Sequence, residues 1–332
     1  MEAELAFVVL TILVAGAFAW TNGFHDTANA VATSLSTAAL TPRVALLLAA
    51  LLNGVGSLLG IGVADTVGRQ LIDVPVSHPG AGLVLAGLLA AITWNLLTWW
   101  WGMPSSSSHA LIGGLAGAGA AAGIGVDWQV MGDKVLLPML LSPLIGLVLA
   151  WLVMAGLLLG FRHAAHGIAA RRFKMAQTVS ASAMALSHGL QDGQKAMGVM
   201  VLALSAGGYE HAGVPTWVRL FAAGALAAGT AAGGWRIIRT LGRRVVPIDP
   251  VTGFAAESAA SGVLYVAAGV FHAPISSTQT VTASIMGAGS TRGLRRIRWI
   301  LVSRIAVVWV ATPLVTGTLA AALYWSGALI AR

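Results

Sequence analysis

Residues 22–30 read Asn-Gly-Phe-His-Asp-Thr-Ala-Asn-Ala, and residues 188–196 read His-Gly-Leu-Gln-Asp-Gly-Gln-Lys-Ala. The two stretches align at a distance of 166 residues, so that their aspartates coincide. A second pair follows in the same order, with Pro-Ser-Ser-Ser-Ser-His at 104–109 and Pro-Ile-Ser-Ser-Thr-Gln at 274–279. Two motifs that recur in order at nearly equal spacing indicate that the chain consists of two homologous halves.

The composition around these motifs is that of a membrane protein. Hydrophobic residues make up 57% and charged residues 9% of the chain, whereas a soluble domain has about 25% charged residues. Apolar stretches of about 20 residues, the length that crosses a bilayer, recur from end to end. We predict an all-α membrane protein with about ten membrane elements, near 5–39, 44–64, 80–103, 104–124, 134–159, 176–207, 213–236, 250–271, 275–291 and 299–325.

The basic residues predict how the chain crosses the bilayer. Of the 19 Lys and Arg residues, two thirds fall in four segments, which contain Arg43; Arg162, Arg171, Arg172 and Lys174; Arg236, Arg239, Arg243 and Arg244; and Arg292, Arg295, Arg296 and Arg298. The positive-inside rule places these segments in the cytoplasm. Because topology accounts for the net charge of +8, we predict no nucleic-acid partner.

The two ends of the chain are expected outside the cytoplasm, in a multi-pass protein of the plasma (inner) membrane. Glu2 and Glu4 precede the first apolar run, and no basic residue does. A cleavable signal peptide begins with a positively charged region. We therefore expect this run to be a retained spanning helix.

The halves are predicted to be inverted repeats. We divide the chain into a first repeat at 1–160, a basic cytoplasmic linker at 161–175 and a second repeat at 176–332. Five elements in a half is an odd number, so the second half enters the membrane with the opposite orientation, as in many secondary transporters. The elements at 5–39 and 176–207 are too long for one straight span, which predicts broken helices or re-entrant turns within them.

Acidic residues inside the membrane are the first candidates for function. An ionised Asp at the bilayer centre costs at least about 2.5–3.5 kcal/mol, so such residues normally face an ion path. Asp26 and Asp192 occupy matching positions in the two halves, which favours a coupling-ion site over two unrelated helix ends. Glu257 has no acidic counterpart in the first half and is a further candidate.

The two Pro-Ser-rich segments are candidates for an anion site. In each, an apolar helix ends, a proline follows, and hydroxyl residues begin the next helix, as is typical of helix N-termini. Such N-termini present free N–H groups and bind anions. The alternative is that the hydroxyls satisfy backbone groups and join helices. The candidate anion-binding residues are Ser105, Ser106, Ser107, Ser108, Ser276, Ser277, Thr278 and Gln279.

The remaining polar residues of the first motif pair are candidates for the coupling ion. Lys195 lies three residues after Asp192, within reach on one helix face, and predicts an internal ion pair or a fixed charge near the anion. It replaces the amide that Asn29 supplies in the first half. His25 and Gln191 flank the aspartates, and His25 can titrate near neutral pH, although a structural role for it is equally open.

An enzyme is disfavoured by the same sequence. The chain has no cysteine, and therefore no thiolate nucleophile, thiolate metal site or disulfide. Ser108 and His109 are adjacent on a helix and point apart, and the Gly-x-Ser-x-Gly turn of hydrolases is absent. We expect no enzymatic activity and no cofactor. A passive anion channel remains an alternative that uptake against a gradient would exclude.

The motifs at 22–33 and 188–198 closely resemble the signatures of the PiT family of inorganic phosphate transporters, and the segments near 104 and 274 look like its two re-entrant helical hairpins. The resemblance covers nearly the whole chain. It implies a homodimer that imports phosphate by cation symport, with the anion on the hairpin hydroxyls and the coupling ion at the two Asp motifs.

The sequence departs from the sodium-coupled members of that family. Those members resemble Gly-Ala-Asn-Asp-Val-Ala-Asn-Ala in both motifs, where this chain has His25, Gln191 and Lys195 in place of amides. A lysine there would repel sodium and compete for its carboxylate, so we expect proton coupling, as in the bacterial low-affinity branch. The resemblance also implies that a divalent metal can travel with phosphate. Sodium coupling and a sulfate permease of the same fold stay open as alternatives.

Overall fold

The computed structural model describes residues 2–163, 166–209 and 212–330, and over these residues the protein is helical apart from one isolated bridge between Ile72 and Val126. This confirms the all-α prediction. The helices are α1 Glu2–Ser36, α2 Pro42–Leu58, α3 Gly62–Asp65, α4 His78–Trp101, α5 Ser107–Ala122, α6 Trp128–Val130, α7 Leu137–Gly160, α8 His166–Ala206, α9 Thr216–Ala232, α10 Trp235–Arg243, α11 Pro250–Gly269, α12 Ser277–Ser290 and α13 Trp299–Ile330.

Five helical stretches of the described residues are long and apolar enough to cross a membrane by themselves, at 5–36, 79–101, 128–160, 250–269 and 299–329. A sixth span forms if α2 and the following segment, which bend by 66°, count as one crossing. Of the other elements, α5, α9 and α12 are each shorter than 18 residues. They therefore depend on packing against their neighbours.

The breaks in the helices do not lie where the sequence predicted them. Both long elements are uninterrupted, since α1 has 35 residues and α8 has 41. The prediction of a break at 5–39 and 176–207 was wrong because the polar side chains midway along these helices find partners on other helices, and the backbone need not open to satisfy them. Helix α8 also begins within the segment expected to be a linker, at His166.

Two breaks lie at other positions. One separates α2 from α3, and another separates α9 from α10 at Gly233, whose φ of 73° suits glycine. The element expected to end near residue 236 therefore continues as α10. This helix packs alongside α1, because a Cβ on Gly234 would lie 2.4 Å from Phe24 O and one on Gly242 would lie 2.6 Å from Ala32 O.

Two helical hairpins carry the Pro-Ser-rich segments. Helix α4 ends at Gly102, which has a φ of 66°, and α5 begins after Ser106, whose hydroxyl caps it. Helix α11 leads through the 270–276 segment to α12, which Ser276 caps. Small residues let α5 pack directly on α13, because a Cβ on Gly117 would lie 2.2 Å from Gly317 O. The inverted relation between the halves, divided at 1–160 and 176–332, stays a prediction.

Candidate functional site

Helices α1 and α8 bring the two predicted aspartates together between the N-termini of α5 and α12. Asp26 is 2% exposed and Asp192 is 1% exposed, so both are enclosed by protein. Buried carboxylates require partners because an isolated charge in an apolar interior is costly. Their partners come from all four helices. We call the two aspartates and the polar side chains around them the central cluster, with Asn22, His25, Ser107, His188, Lys195, Ser277 and Thr278 as its other members.

Asp26 is held by two hydroxyls and a histidine. The Ser107 hydroxyl lies 2.5 Å from its Oδ2. On its other oxygen, Oδ1, His25 Nδ1 lies at 2.7 Å and the Thr278 hydroxyl donates at 3.2 Å. Residues from both hairpins therefore meet on one carboxylate.

Asp192 is held by a cation. Lys195 Nζ lies 2.6 Å from its Oδ1, which is the ion pair predicted from the sequence. The Ser277 hydroxyl donates to Oδ2 at 3.2 Å. His188 Nε2 approaches the same oxygen to 3.0 Å without the geometry of a hydrogen bond. Lysine thus neutralises the carboxylate of the second half.

Lys195 also fixes the second hairpin. Its ammonium group donates to Ile275 O at 2.8 Å and to the Ser108 hydroxyl, and that hydroxyl lies 3.0 Å from Ile275 O. Gln191 Nε2 donates to Ala273 O at 2.9 Å and Ile275 O at 3.2 Å. The side chains of α8 therefore satisfy the carbonyl groups that precede α12.

The hydroxyls of the hairpins serve more than one purpose. Ser106 and Ser276 accept hydrogen bonds from the N–H groups of the first helical turns, which is the capping role. Ser105 lies 2.8 Å from the Thr98 hydroxyl and 3.2 Å from His25 Nε2. The residues nearest the carboxylates are instead Ser107, Ser277 and Thr278.

Three predicted residues lie at or beyond the edge of the central cluster. Asn29 Nδ2 donates to the Thr278 hydroxyl at 3.0 Å, which connects it to Asp26. Gln279 Nε2 lies 3.3 Å from His109 Nδ1, away from the carboxylates. Glu257 lies in a separate buried cluster, where it accepts from Thr33, from Ser180 at 2.5 Å and from Gln177 at 3.3 Å. The grouping of Glu257 with the two aspartates is therefore not seen in the structure.

The charge of the central cluster suits a small cation. Two carboxylates and one lysine lie together in an enclosed space. One ligand atom each from Asp26, His188 and Asp192 lies within 4.8 Å of the others. The Asn29 Oδ1 and Gln191 Oε1 atoms are buried and have no protein partner among the described residues. Oxygen and imidazole groups so placed can take up a proton or bind a cation.

Two residues of the central cluster were missed by the sequence interpretation. The Ser107 hydroxyl lies 2.7 Å from Asn22 Oδ1, and His188 contacts both Asp192 and, through Nδ1 at 3.2 Å, Asn53 Oδ1. The aligned motifs already contained the signal, since Asn22 and His188 are the first residues of the two matching stretches.

Comparisons with known proteins agree with this architecture. The profile described as "Phosphate transporter family" matches residues 22–320. Two relatives, each named "Probable low-affinity inorganic phosphate transporter", are 39% identical in Bacillus subtilis (strain 168), covering 98% of both chains, and 40% identical in Rhizobium meliloti (strain 1021), covering 100% of both. A solved structure titled "The sodium-dependent phosphate transporter" shares the fold, with a TM-score of 0.87, 22% identity, and coverage of 98% of this chain and 100% of that one.

Proposed function

The chain belongs to the phosphate transporter family, and we propose that it imports inorganic phosphate by symport with a proton. Transmembrane transport of phosphate follows from the family, and so does the absence of enzymatic function. The symport and the identity of the coupling ion are the proposal. The observation that carries it is the unequal pair of buried carboxylates, one balanced by Lys195 and the other held by His25, Ser107 and Thr278.

The proposed anion site lies where the N-termini of α5 and α12 meet the two aspartates. Free N–H groups at two helix starts can donate to a phosphate oxygen, and so can the hydroxyls of Ser107, Ser277 and Thr278 once they turn away from the carboxylates. Lys195 supplies one positive charge beside Ser108. Phosphate keeps a proton near neutral pH, and that proton can be donated to a carboxylate. Sulfate has no such proton, so this arrangement favours phosphate over the alternative sulfate permease.

Proton coupling is supported by the position of Lys195. Its ammonium group already occupies the space beside Asp192, where it would repel a sodium ion. Within the part of the chain that the structure describes, no lysine or arginine pairs with Asp26, and His25 contacts its Oδ1. We propose that the coupling proton is shared by Asp26 and His25. Sodium coupling is the alternative, with Asp26, Asn29 and Asp192 as the ligands.

A divalent metal can travel with the anion under the same proposal. A metal–phosphate complex carries less charge than free phosphate, which lowers the cost of its entry into the membrane. The ligand atoms of Asp26, His188 and Asp192 are close enough to share one ion. The metal is then part of the substrate, and phosphate uptake should rise when Mg²⁺ is added.

The experiment is phosphate uptake by purified protein in liposomes. An inward proton gradient and an inward sodium gradient are imposed separately, with unlabelled sulfate as competitor. We expect uptake driven by protons alone and little competition by sulfate. The matched variant is Lys195→Asn, which restores the amide found at the equivalent position, Asn29. Sodium-driven uptake by the unchanged protein would contradict proton coupling, and loss of phosphate uptake to sulfate would favour the sulfate permease.

The membrane orientation and the assembly are further proposals. We propose that both termini lie outside the cytoplasm in the plasma (inner) membrane, because the basic segments then lie inside. The homodimer is proposed from the family resemblance. Labelling of single cysteines introduced into this cysteine-free chain tests the orientation, and cross-linking in the membrane tests the dimer.

A further inference from the structure

Helix α10 runs from the depth of the central cluster towards the end of α1. Its first turn lies against Phe24 O and His25 O, through Gly234, and its last turn lies against Ala32 O, through Gly242. Ser36 ends α1 ten residues after Asp26, a distance of about 15 Å along a helix. This is half of a hydrocarbon core of about 30 Å. Helix α10 therefore lies beside the last ten residues of α1 and leads from the level of Asp26 towards Ser36.

One face of this helix carries arginine and the other is apolar. Ile237, Ile238 and Leu241 are buried against the core, with exposures of 1%, 5% and 0%. Arg236, Arg239 and Arg243 are exposed and follow the helical repeat along one side. We call these three residues the arginine stripe. Among the described residues, no carboxylate forms an ion pair with any of them.

The innermost arginine is fixed against the first hairpin. The Arg236 guanidinium lies 4.3 Å from the ring centre of Trp100 and 5.2 Å from that of Trp99. Its Nη1 donates to Trp100 O at 2.5 Å. One turn further along, the Thr240 hydroxyl donates to Gly102 O at 2.7 Å. The stripe therefore begins where α4 leads into the segment that contains Ser105.

Lipid contact does not account for this arrangement. An arginine near the centre of a helix in the bilayer costs at least about 2.5–3.5 kcal/mol, and such residues almost always face a protein interior or a water-filled cavity. The positive-inside rule places the basic end of α10 on the cytoplasmic side, so we expect the three arginines to face water rather than lipid. The stripe also continues into a second basic region, because Arg298 N donates to Val245 O at 3.1 Å.

We propose that the arginine stripe lines a water-filled path along which phosphate passes between the central cluster and the cytoplasm. This inference rests on the proposed function. The fixed positive charges raise the local concentration of the anion, and their spacing of about one helical turn provides successive weak contacts without a trap. The Trp99–Ser105 segment separates the stripe from the carboxylates, and Arg236 holds that segment in place.

The first test measures water access and needs no transport. The chain has no cysteine, so Arg239→Cys and Arg243→Cys each give one reactive thiol. We expect rapid reaction with a negatively charged, membrane-impermeant thiosulfonate added from the cytoplasmic side, and slower reaction when phosphate is present. The matched controls are Leu140→Cys and Leu144→Cys, on side chains of α7 that are 69% and 60% exposed and that should not react with the charged reagent.

The second test measures phosphate uptake in liposomes. Arg239→Gln and Arg243→Gln should each lower the rate of uptake at low phosphate concentration. The double variant should lower this rate by on the order of tenfold. Arg239→Lys should retain most of it, because the charge is kept. Arg162→Gln, an exposed arginine outside the stripe, is the control and should leave the rate unchanged.

Three outcomes would overturn the proposed path. Reaction at residue 239 only with a membrane-permeant maleimide would place the stripe in lipid. Disulfide formation between two copies of Arg239→Cys would place it at an interface between protomers. The cysteines could also react with the charged reagent while the glutamine variants keep their full rate of phosphate uptake. The stripe would then be a water-exposed surface along which phosphate does not pass. If the unchanged protein carried no phosphate, the proposed function would fail while the labelling result still stood.

Discussion

The two halves place an aspartate at matching positions but balance its charge differently. Asp26, in the first half, is held by a histidine and two hydroxyls. Asp192, in the second half, has an ammonium group at 2.6 Å. The difference shows that the duplicated motif places both carboxylates, whereas single substitutions within it decide which one has a lysine beside it. Substitutions in both halves can test this asymmetry.

The largest effect is expected from Lys195→Met. This change leaves Asp192 buried without its cation, and breaking a buried ion pair costs about 3–5 kcal/mol. The measurement is thermal unfolding in detergent without sodium. The double variant Lys195→Met with Asp192→Asn should recover most of the stability, because no charge is then left unpaired. An unchanged unfolding midpoint in the single variant would show that the pair does not stabilise the protein.

Asp26→Asn should affect transport rather than folding. The change leaves no described lysine or arginine without its partner. It removes a carboxylate that accepts hydrogen bonds, and a hydrogen bond to a charged group is worth about 1.5–3 kcal/mol. We expect proton-driven phosphate uptake to fall about ten- to hundredfold, while exchange of phosphate across the membrane persists. Both are measured in liposomes. Equal loss of uptake and exchange would indicate that Asp26 binds the anion instead of the proton.

The structural equivalence of the two halves can be tested at the matching glycines Gly23 and Gly189. A Cβ on Gly23 would lie 2.2 Å from Leu226 O, and one on Gly189 would lie 2.1 Å from Asn53 O. Replacement of either by alanine should cost about 1–3 kcal/mol through overpacking. Gly224→Ala is the control, since its Cβ would meet nothing within 4 Å. Markedly different losses for the two glycines, measured by thermal unfolding, would contradict the equivalence of the halves.

The hydroxyls on the two carboxylates should differ in importance. Ser107 lies 2.5 Å from Asp26 Oδ2, whereas Ser277 donates to Asp192 Oδ2 at 3.2 Å. We expect Ser107→Ala to lower phosphate uptake more than Ser277→Ala, because Lys195 still compensates Asp192. The free energy lost with either hydroxyl should be about 1–3 kcal/mol. The reverse order in an uptake assay would show that the second hairpin is the more important contact.

The smallest effect is expected at Asp249, outside the central cluster. Burial raises the pKa of this carboxyl, but the Thr252 N–H group and Arg292 outweigh it and hold the pKa below its ordinary value. Its stabilising effect is therefore present above the pKa of the unfolded chain and lost as the pH falls through the lower folded pKa. Because the group is 35% exposed, Asp249→Asn should cost at most about 1 kcal/mol.

The check is thermal unfolding of Asp249→Asn and the unchanged protein across a pH series. The difference between them should shrink as the pH becomes acidic. A difference that persisted in acid would mean that the hydrogen bond to Thr252 N, rather than the charge, is responsible.

The sequence alone determined the membrane class and the helical fold, and it predicted part of the central cluster, because each of these follows from local rules. Apolar length predicts a span whatever packs on it. The three-residue spacing of Asp192 and Lys195 predicted a contact on one helix face, and the structure has it. The repeated motif even contained Asn22 and His188, although they were not selected.

The partners of these residues and the positions of the helix breaks depend on tertiary packing. Polar residues midway along α1 and α8 predicted interruptions, yet both helices are continuous, because hydroxyls and amides from other helices satisfy those side chains. Glu257 was grouped with the aspartates, but Thr33, Gln177 and Ser180 hold it elsewhere. The path of α10 beside α1 likewise depends on glycines that contact a distant backbone. Contacts between residues far apart in the chain leave no periodic signal in the sequence, so packing alone determines them.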